Sequence, residues 1–198
     1  MIPLCDEKRV GKFPFMTVSL IAVNTIIFLA TSSNLQYYTD VFGFTPGKLM
    51  DGQIFTLLTY MFLHGNWLHL IANMWFLWVF GDNLEARLGS LKFLAFYLLC
   101  GVGAGVVYAL AIADPNAAVI GASGAISGVL GGYLVMFPKH RIRTFLLITI
   151  FVPAVVYIFL WFVYQIFSTM AMNQSIAYWG HIGGFVSGLL FVRFFKKP

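Results

Sequence analysis

The sequence predicts an all-α integral membrane protein, built as a bundle of six transmembrane helices with both termini in the cytoplasm. Of its 198 residues, 60% are hydrophobic and only 10% are charged, and the mean hydropathy is +0.87. A soluble domain carries about 25% charged residues. Long uncharged runs of this composition are typical of one helical bundle inside a bilayer, so residues 1–198 are predicted to form a single domain.

Six apolar runs supply the predicted spans. They lie at about 13–30, 66–85, 91–113, 119–137, 144–167 and 176–195, with a long first outer loop at 31–65. The cleanest part of the second run is shorter than the roughly 20 residues that a span needs, so length alone would also allow a re-entrant segment. Extension through Asp82 to Glu85 gives this run the length of a span.

The basic residues set the predicted orientation, because cytoplasmic loops carry the excess of Lys and Arg. With six spans and a cytoplasmic N-terminus, only Lys48 of the 12 basic residues falls outside. The others fall inside: Lys8, Arg9, Lys12, Arg87, Lys92, Lys139, Arg141, Arg143, Arg193, Lys196 and Lys197. The first run follows basic residues and has no small-residue cleavage site, which predicts a signal anchor. The positive charge therefore indicates membrane topology, and we expect no nucleic-acid partner.

Two segments between or within the spans have features of their own. The first outer loop is too apolar at 42–44 and 54–63 for a solvated loop, so we expect it in the outer interface or against the bundle. Pro153 is expected to kink or loosen the fifth span. That span is also rich in Phe and lacks a long glycine stripe, which favours loose packing and a role as a gate.

Small residues recur every four positions in the fourth and sixth spans. These stripes consist of Gly124, Gly128 and Gly132, and of Gly180, Gly184 and Gly188. Such stripes let helix backbones approach closely in lipid, and most of these glycines are expected to serve packing alone. If the stripes face each other, Ser123 and His181 flank the closest helix contact.

Several polar residues are predicted at one depth below the outer surface. At ~1.5 Å of rise per residue, Ser123, His181 and Asn73 lie roughly 6, 7.5 and 9 Å inside their spans. His69 is one turn shallower than Asn73 and shares its helix face. A lone intramembrane serine is usually structural, whereas a histidine in hydrocarbon needs a partner or a water pocket.

This set divides into chemical roles. Ser123 is the candidate nucleophile, and His181 is the base that takes its proton and later protonates the leaving amine. The candidate oxyanion donors are the side chains of His69 and Asn73 and the backbone N–H groups at the start of the fourth helix, Gly121, Ala122 and Ser123. No acidic residue is predicted at this depth, so a Ser-His dyad is expected. Backbone carbonyls, Ser127 and Tyr178 remain open as the groups that orient His181.

Other classes of function fit less well. A zinc site is disfavoured because His64 and His69 are five residues apart, off a common helix face, and no HExxH motif is present. We therefore expect no metal and no cofactor. A transporter or channel would need a chain of intramembrane Asp or Glu, which is missing. The remaining alternative is a non-catalytic protein that binds and escorts transmembrane helices. The feature that discriminates against it is the Ser-His dyad, which is present.

Four motifs in the chain carry a resemblance to a known family: Gly121-Ala122-Ser123-Gly124, His181-Ile182-Gly183-Gly184, His64-Gly65 followed by His69 and Asn73, and the stretch 81–89. In this order the chain resembles the rhomboid family of intramembrane serine proteases, over nearly its whole length. The resemblance implies a six-helix bundle with a Ser123–His181 dyad and an oxyanion site of His69, Asn73 and the Ser123 amide. It also implies cleavage of single-span membrane proteins in the lipid bilayer, near the outer face.

The resemblance implies structural roles as well. His64 would be a structural residue of the first loop, Glu85 and Arg87 a polar network at the cytoplasmic end, and Gly184 a packing residue. The chain departs from many relatives at Phe55-Thr56, where they carry Trp-Arg, and from some at Ser127, where a tyrosine stacks under the histidine. A short chain of this kind is expected to be a multi-pass protein of a prokaryotic plasma membrane.

Overall fold

The structure is a computed structural model that describes residues 1–8, 11, 13–145, 147–171 and 176–195. The basic residues Arg9, Lys12, Lys196 and Lys197, which entered the predicted orientation, lie outside the described residues. Nine α-helices and three strands form within the described part of the chain. The helices are α1 Phe15–Thr31, α2 Leu35–Phe42, α3 Pro46–Met50, α4 Thr56–Thr59, α5 Trp67–Leu88, α6 Ser90–Ala111, α7 Ser123–Met136, α8 Ala154–Ala171 and α9 Ile176–Phe195.

The six longest helices correspond to the six apolar runs, and the short helices α2 to α4 lie in the first outer loop. Within the described residues, the continuous helical segment Phe15–Phe42 and α6 are long and apolar enough to cross a membrane, and α7 and the first part of α8 are shorter apolar helices. The second run is one unbroken helix of 22 residues that continues through Asp82 to Glu85. At ~1.5 Å per residue it has the length of a span, as the extended reading required.

The centre of the bundle is the contact between α7 and α9. A Cβ atom on Gly184 would lie 1.9 Å from the carbonyl oxygen of Gly124, and one on Gly188 would lie 2.0 Å from that of Gly128. The two stripes therefore face each other, as predicted, with their backbones in direct contact. Gly132 faces Phe96 of α6 instead, where its Cβ would lie 2.7 Å from the ring.

Glu85 ties the end of α5 to the start of α1. Its buried carboxylate accepts hydrogen bonds from the backbone N–H groups of Met16 at 2.8 Å and Thr17 at 2.7 Å. The hydroxyls of Thr17 and Ser90 also donate to it, at 2.8 and 2.6 Å. The first N–H groups of a helix lack partners within that helix, so this carboxylate caps α1. Arg87, expected in the same network, is exposed.

The first outer loop packs against the bundle, as its apolar composition indicated. Phe44 and Met61 are fully buried, and Met61 fills the space left by the absent side chain of Gly101. The backbone of Phe44 pairs with that of Val119, with N–H to O distances of 3.1 and 2.8 Å in the two directions. The hydroxyl of Thr56 bonds only locally, to the Gln53 carbonyl at 2.7 Å.

The fifth predicted span differs from the structure at its start. Residues 144–145 and 149–153 lie in strands and not in a helix: β2 Arg141–Phe145 pairs with β3 Thr149–Pro153, and α8 begins only at Ala154. Pro153 therefore ends a strand next to the helix and does not kink it. Alternating burial along β2 and the β-branched residues of both strands fit a sheet. A continuous apolar run does not by itself separate strand from helix.

The sheet has a third strand, β1 Ile2–Asp6, which pairs antiparallel with the other side of β2. This strand lies in the polar N-terminal segment, for which the sequence predicted no secondary structure. His140, expected to be solvated in a basic loop, contacts this strand, with its Nδ1 2.8 Å from a carboxylate oxygen of Asp6. The sheet therefore anchors the N-terminal segment to the connection between α7 and α8.

Substituting Gly184 by Ala should destabilise the protein, because the new methyl group would meet the Gly124 backbone at 1.9 Å. Overpacking of this kind costs about 1–3 kcal/mol of unfolding free energy. Gly180→Ala is the matched control in the same stripe, since its Cβ would be no closer than 4.0 Å to another group. The free energy of unfolding of both variants is measured in detergent. Equal stability of the two variants would contradict the contact between the backbones of α7 and α9.

Candidate active site

Ser123 is the first residue of α7, and the turn before it has a conformation that glycine favours. Gly121 has a φ of +123°, and a Cβ atom there would lie 2.7 Å from the ring of His69. Both the backbone conformation and the space therefore require glycine at this position. The helix starts four residues later than the predicted span, because Val119 pairs with the outer loop.

The hydroxyl of Ser123 contacts the imidazole of His181. The distance from His181 Nε2 to Ser123 Oγ is 2.8 Å, within the range over which a base takes a proton from a hydroxyl. Each residue lies one position from a glycine stripe, and the backbone contact of α7 with α9 brings the two side chains together. The structure thus brings together the two residues predicted as nucleophile and base.

Two aromatic rings contact the imidazole of His181. The ring of Tyr178 lies edge-on with a centroid distance of 5.9 Å, and the ring of Trp161 in α8 lies at 6.4 Å. The hydroxyl of Ser127 donates to the Ser123 carbonyl at 2.6 Å. Tyr178 was one of the open candidates. Trp161 was missed, since it is one of many aromatic residues in an apolar run.

His69 is held beside Gly121 by contacts at the start of α5. The side chain of Asn66 accepts a hydrogen bond from the His69 N–H at 2.9 Å and caps the helix. The backbone N–H of Gly65 donates to His69 Nδ1 at 3.4 Å. Because Nδ1 accepts, the proton of the neutral ring resides on Nε2. This nitrogen is one of the ring atoms next to Gly121, so an N–H donor faces the turn before Ser123.

Asn73 lies one helical turn below His69 on the same face, as predicted. Its Nδ2 donates one hydrogen to the His69 carbonyl at 2.9 Å, and the side chain borders the same cavity as Ser123. A side-chain amide carries two N–H donors. One bond therefore orients Asn73 while the amide retains a second donor.

The backbone amides at the start of α7 differ in their use. The N–H of Gly121 donates to the Tyr60 carbonyl of the outer loop at 2.9 Å. This donor is therefore already used, and the expectation that it binds an oxyanion is wrong for this structure. Ala122 precedes the first turn and Ser123 begins it. Amides at this end have no acceptor four residues earlier in the helix.

Tyr60 connects the outer loop to both sides of this turn, and the sequence analysis did not identify it. Its hydroxyl donates to the Gly101 carbonyl at 2.8 Å, and a Cβ atom on Gly124 would lie 3.3 Å from that hydroxyl. The sequence placed Tyr60 only within an apolar stretch of the loop. Its contacts depend on three segments distant in sequence, which no local pattern reveals.

His64 is fully buried beside the site and contacts His69, with ring centroids 5.1 Å apart. Burial, with a smaller contribution from the positive charge of His69, lowers the pKa of His64 to about 4. At neutral pH the ring is therefore uncharged. It is absent from the lining of the cavity at Ser123, which fits the structural role expected for it.

A cavity of about 260 Å³ opens beside the Ser123 hydroxyl. Its polar lining consists of His69, Asn73, Ser123, Ser127 and His181, and its apolar lining of Ala72, Phe76, Ile120, Ile126, Leu130 and Trp161. No carboxylate belongs to this lining within the described residues. The residues predicted as nucleophile, base and N–H donors thus meet at one largely apolar cavity, an arrangement suited to acyl transfer through an oxyanion.

Comparison with known proteins gives consistent matches. Residues 51–198 match the family described as "Rhomboid domain". The chain is 30% identical to Rhomboid protease GluP of Bacillus subtilis over 181 residues, 88% of this chain and 34% of that protein. It is 30% identical to Rhomboid-like protease 5 of Toxoplasma gondii, over 81% of this chain and 18% of that protein. RHOMBOID-like protein 5 of Arabidopsis thaliana is 37% identical over 42% of this chain and 27% of its own length. The chain thus spans much less than two thirds of these relatives.

Replacing His64 by Gln should flatten the acid side of the stability profile. The folded-state pKa of about 4 lies below the usual histidine value near 6.5. Unfolding therefore takes up a proton between these values, and stability present above pH 6.5 is lost as the pH falls towards 4. The loss is at most about 1.4 kcal/mol per pH unit. Thermal unfolding of both proteins, measured from pH 7 to 4, gives the dependence of stability on pH. The same dependence in the two proteins would contradict protonation of His64 as the cause of the loss.

Proposed function

This chain belongs to the rhomboid family, and from that premise we propose that it is an intramembrane serine endopeptidase. Its substrates are single-span membrane proteins, cut within their transmembrane segments near the outer face. The observation that carries this proposal is the 2.8 Å contact between His181 Nε2 and Ser123 Oγ. Several of the relatives are named proteases, which supports the same activity.

The proposed reaction begins with attack of the Ser123 hydroxyl on a substrate carbonyl. His181 Nε2 takes the hydroxyl proton as the new C–O bond forms, and the carbonyl oxygen becomes an oxyanion. His181 then gives the proton to the leaving amine, which breaks the peptide bond and leaves an acyl group on Ser123. A water molecule then attacks the acyl carbon while His181 takes its proton; the bond from that carbon to Ser123 Oγ breaks, the carboxylic acid leaves, and His181 returns the proton to Oγ.

The oxyanion is stabilised by N–H donors aimed at one place. His69 Nε2 faces the turn at Gly121, Asn73 borders the same cavity, and the Ser123 amide begins α7. In a pocket lined largely by apolar groups, such donors act more strongly on developing charge than they would in water. No metal or cofactor is assigned to this mechanism.

Aromatic rings border the proposed dyad on the His181 side. The rings of Tyr178 and Trp161 contact the imidazole of His181 and restrict its orientation. Within the described residues, the cavity lining holds no Asp or Glu. The imidazolium formed during the reaction is attracted by the oxyanion that forms together with it.

The substrate has to present an extended peptide to Ser123, because a helix hides its amide bonds. Segments with Gly, Pro or polar residues near the outer surface unwind most cheaply. We place entry on the side of α8, whose contact with α9 is formed by aromatic rings such as Phe162 and Phe185 at 4.5 Å. Ring contacts separate more readily than the backbone contact of α7 with α9.

We further propose six membrane spans with both termini cytoplasmic, in the plasma membrane of a prokaryote. The distribution of Lys and Arg supports the orientation. With this topology Ser123 opens towards the outer face, and Glu85 lies at the opposite end of the bundle. Water for hydrolysis would then reach the cavity from outside.

Replacement of either dyad residue should abolish cleavage. We expect Ser123→Ala and His181→Ala to cut a single-span test substrate in detergent at least about 1,000-fold more slowly. Ser123→Ala should also lose labelling by a fluorophosphonate. Ser19→Ala is the control, because that hydroxyl bonds only to the Phe15 carbonyl of its own helix at 2.7 Å. Undiminished cleavage by Ser123→Ala would exclude the serine mechanism.

Asn73→Ala should lower kcat about 100-fold with little change in KM, because an oxyanion donor acts in the transition state. Asn24→Ala is a matched control: Asn24 is buried and makes the same side-chain bond to its own helix, to the Leu20 carbonyl at 2.8 Å. Steady-state kinetics with the test substrate distinguish the two. An effect of Asn73→Ala on KM alone would contradict the assigned role.

A further inference from the structure

The segment that holds strand β1 contacts α5 and also α8, the helix on whose side we place substrate entry. The indole Nε1 of Trp75 in α5 donates to the Pro3 carbonyl at 2.5 Å. The hydroxyl of Tyr157 in α8 donates to the Met1 carbonyl at 3.4 Å. Main-chain atoms of one short segment thus bridge α5 and α8.

The other end of β1 is fixed by the carboxylate of Asp6. It accepts hydrogen bonds from the side chains of Asn83 and Tyr133, and His140 Nδ1 lies 2.8 Å away. The side chain of Asp6 is only 3% exposed. These partners belong to α5, to α7 and to the segment before β2, so one carboxylate joins three parts of the bundle to the strand.

The strand also uses the backbone of its neighbour. Ile2 is opposite Phe145 and Asp6 is opposite Ile142 in the antiparallel pairing with β2. Because β3 pairs with the other side of β2, β1 covers the one edge of β2 that would otherwise be open. An open strand edge is a binding surface for any extended polypeptide.

Met1, the residue before β1, lines a cavity next to the one at Ser123. A second cavity, of about 330 Å³, is lined by Met1, Tyr157, Leu160, Trp161 and Tyr164. Trp161 lines this cavity and the one at Ser123 as well. The cavity at Met1 and the cavity at Ser123 therefore share the side chain of Trp161.

We propose that β1 is an intrachain plug, which occupies the edge of β2 between α5 and α8 and leaves when a substrate enters. The proposal rests on the proteolytic function given above. The transmembrane segment of a substrate must reach Ser123 from the side of the bundle, and on the side of α8 it competes with β1 for the space between α5 and α8. The Asp6 contacts hold the closed state.

Release of the plug is tested with Asp6→Ala, which removes the contacts to all three partners. We expect cleavage of the single-span substrate to rise about tenfold, the factor that corresponds to ~1.4 kcal/mol. Labelling of Ser123 by a small fluorophosphonate should be unchanged, because that probe does not need the side entrance. Glu7→Ala is the control, since Glu7 is the exposed neighbouring acid and should have no effect.

Other results of this experiment are unambiguous. If β1 only stabilises the fold, Asp6→Ala lowers cleavage and labelling together, which overturns the plug. Unchanged cleavage with unchanged labelling overturns it as well. If the proteolytic function itself is wrong, the unaltered protein neither cleaves the substrate nor reacts with the probe, so the two failures are distinguishable.

Closure of the plug is tested by cross-linking. Cys5 of β1 and Trp78 of α5 line one cavity of about 80 Å³, so Trp78→Cys supplies a partner for Cys5. A bismaleimide with a reducible linker joins them, while Cys100 is fully buried and protected. We expect cleavage to fall at least about tenfold (~1.4 kcal/mol) and to return on reduction, with labelling of Ser123 constant. The control is Cys5→Ser in the Trp78→Cys background, and equal cleavage before and after cross-linking would overturn the proposal.

Discussion

The backbone contact between α7 and α9 is the constraint on which the rest of the site depends. Gly184 and Gly188 lie so close to the carbonyls of Gly124 and Gly128 that neither position has room for a methyl group. In lipid, close approach of helices is driven by packing and not by a hydrophobic gain. The same contact sets the 2.8 Å distance between Ser123 and His181, so packing and candidate chemistry share one origin.

The outer loop completes the site from the other side. Phe44 pairs with Val119, and the Tyr60 carbonyl accepts the Gly121 N–H, so the four residues before Ser123 are held by residues from a distant segment. His69 then occupies the space that a side chain at Gly121 would need. These contacts anchor the loop against the start of α7.

The charged groups at the opposite end of the bundle have structural tasks. Glu85 caps α1, and Asp6 collects contacts that hold the N-terminal strand. Neither carboxylate lines the cavity at Ser123, so neither borders the contact between Ser123 and His181. In the proposed mechanism, access to that pocket is then controlled at the cytoplasmic end by Asp6 and chemistry is performed near the outer face by Ser123.

Composition indicated the helical class, and a four-residue period of glycine revealed the two stripes, because both are properties of the local sequence. The polar residues inside the apolar runs indicated the set around Ser123, and the count of helical rise predicted Ser123 and His181 at one depth, although that count began at Val119, which is not helical. Other features could be learned only from tertiary contacts: the two stripes face each other, residues 141–145 and 149–153 form strands, Tyr60 engages the Gly121 amide, and Trp161 contacts His181. Each of these depends on partners far apart in the chain, and a local pattern carries no information about which distant group satisfies a backbone N–H or contacts a ring.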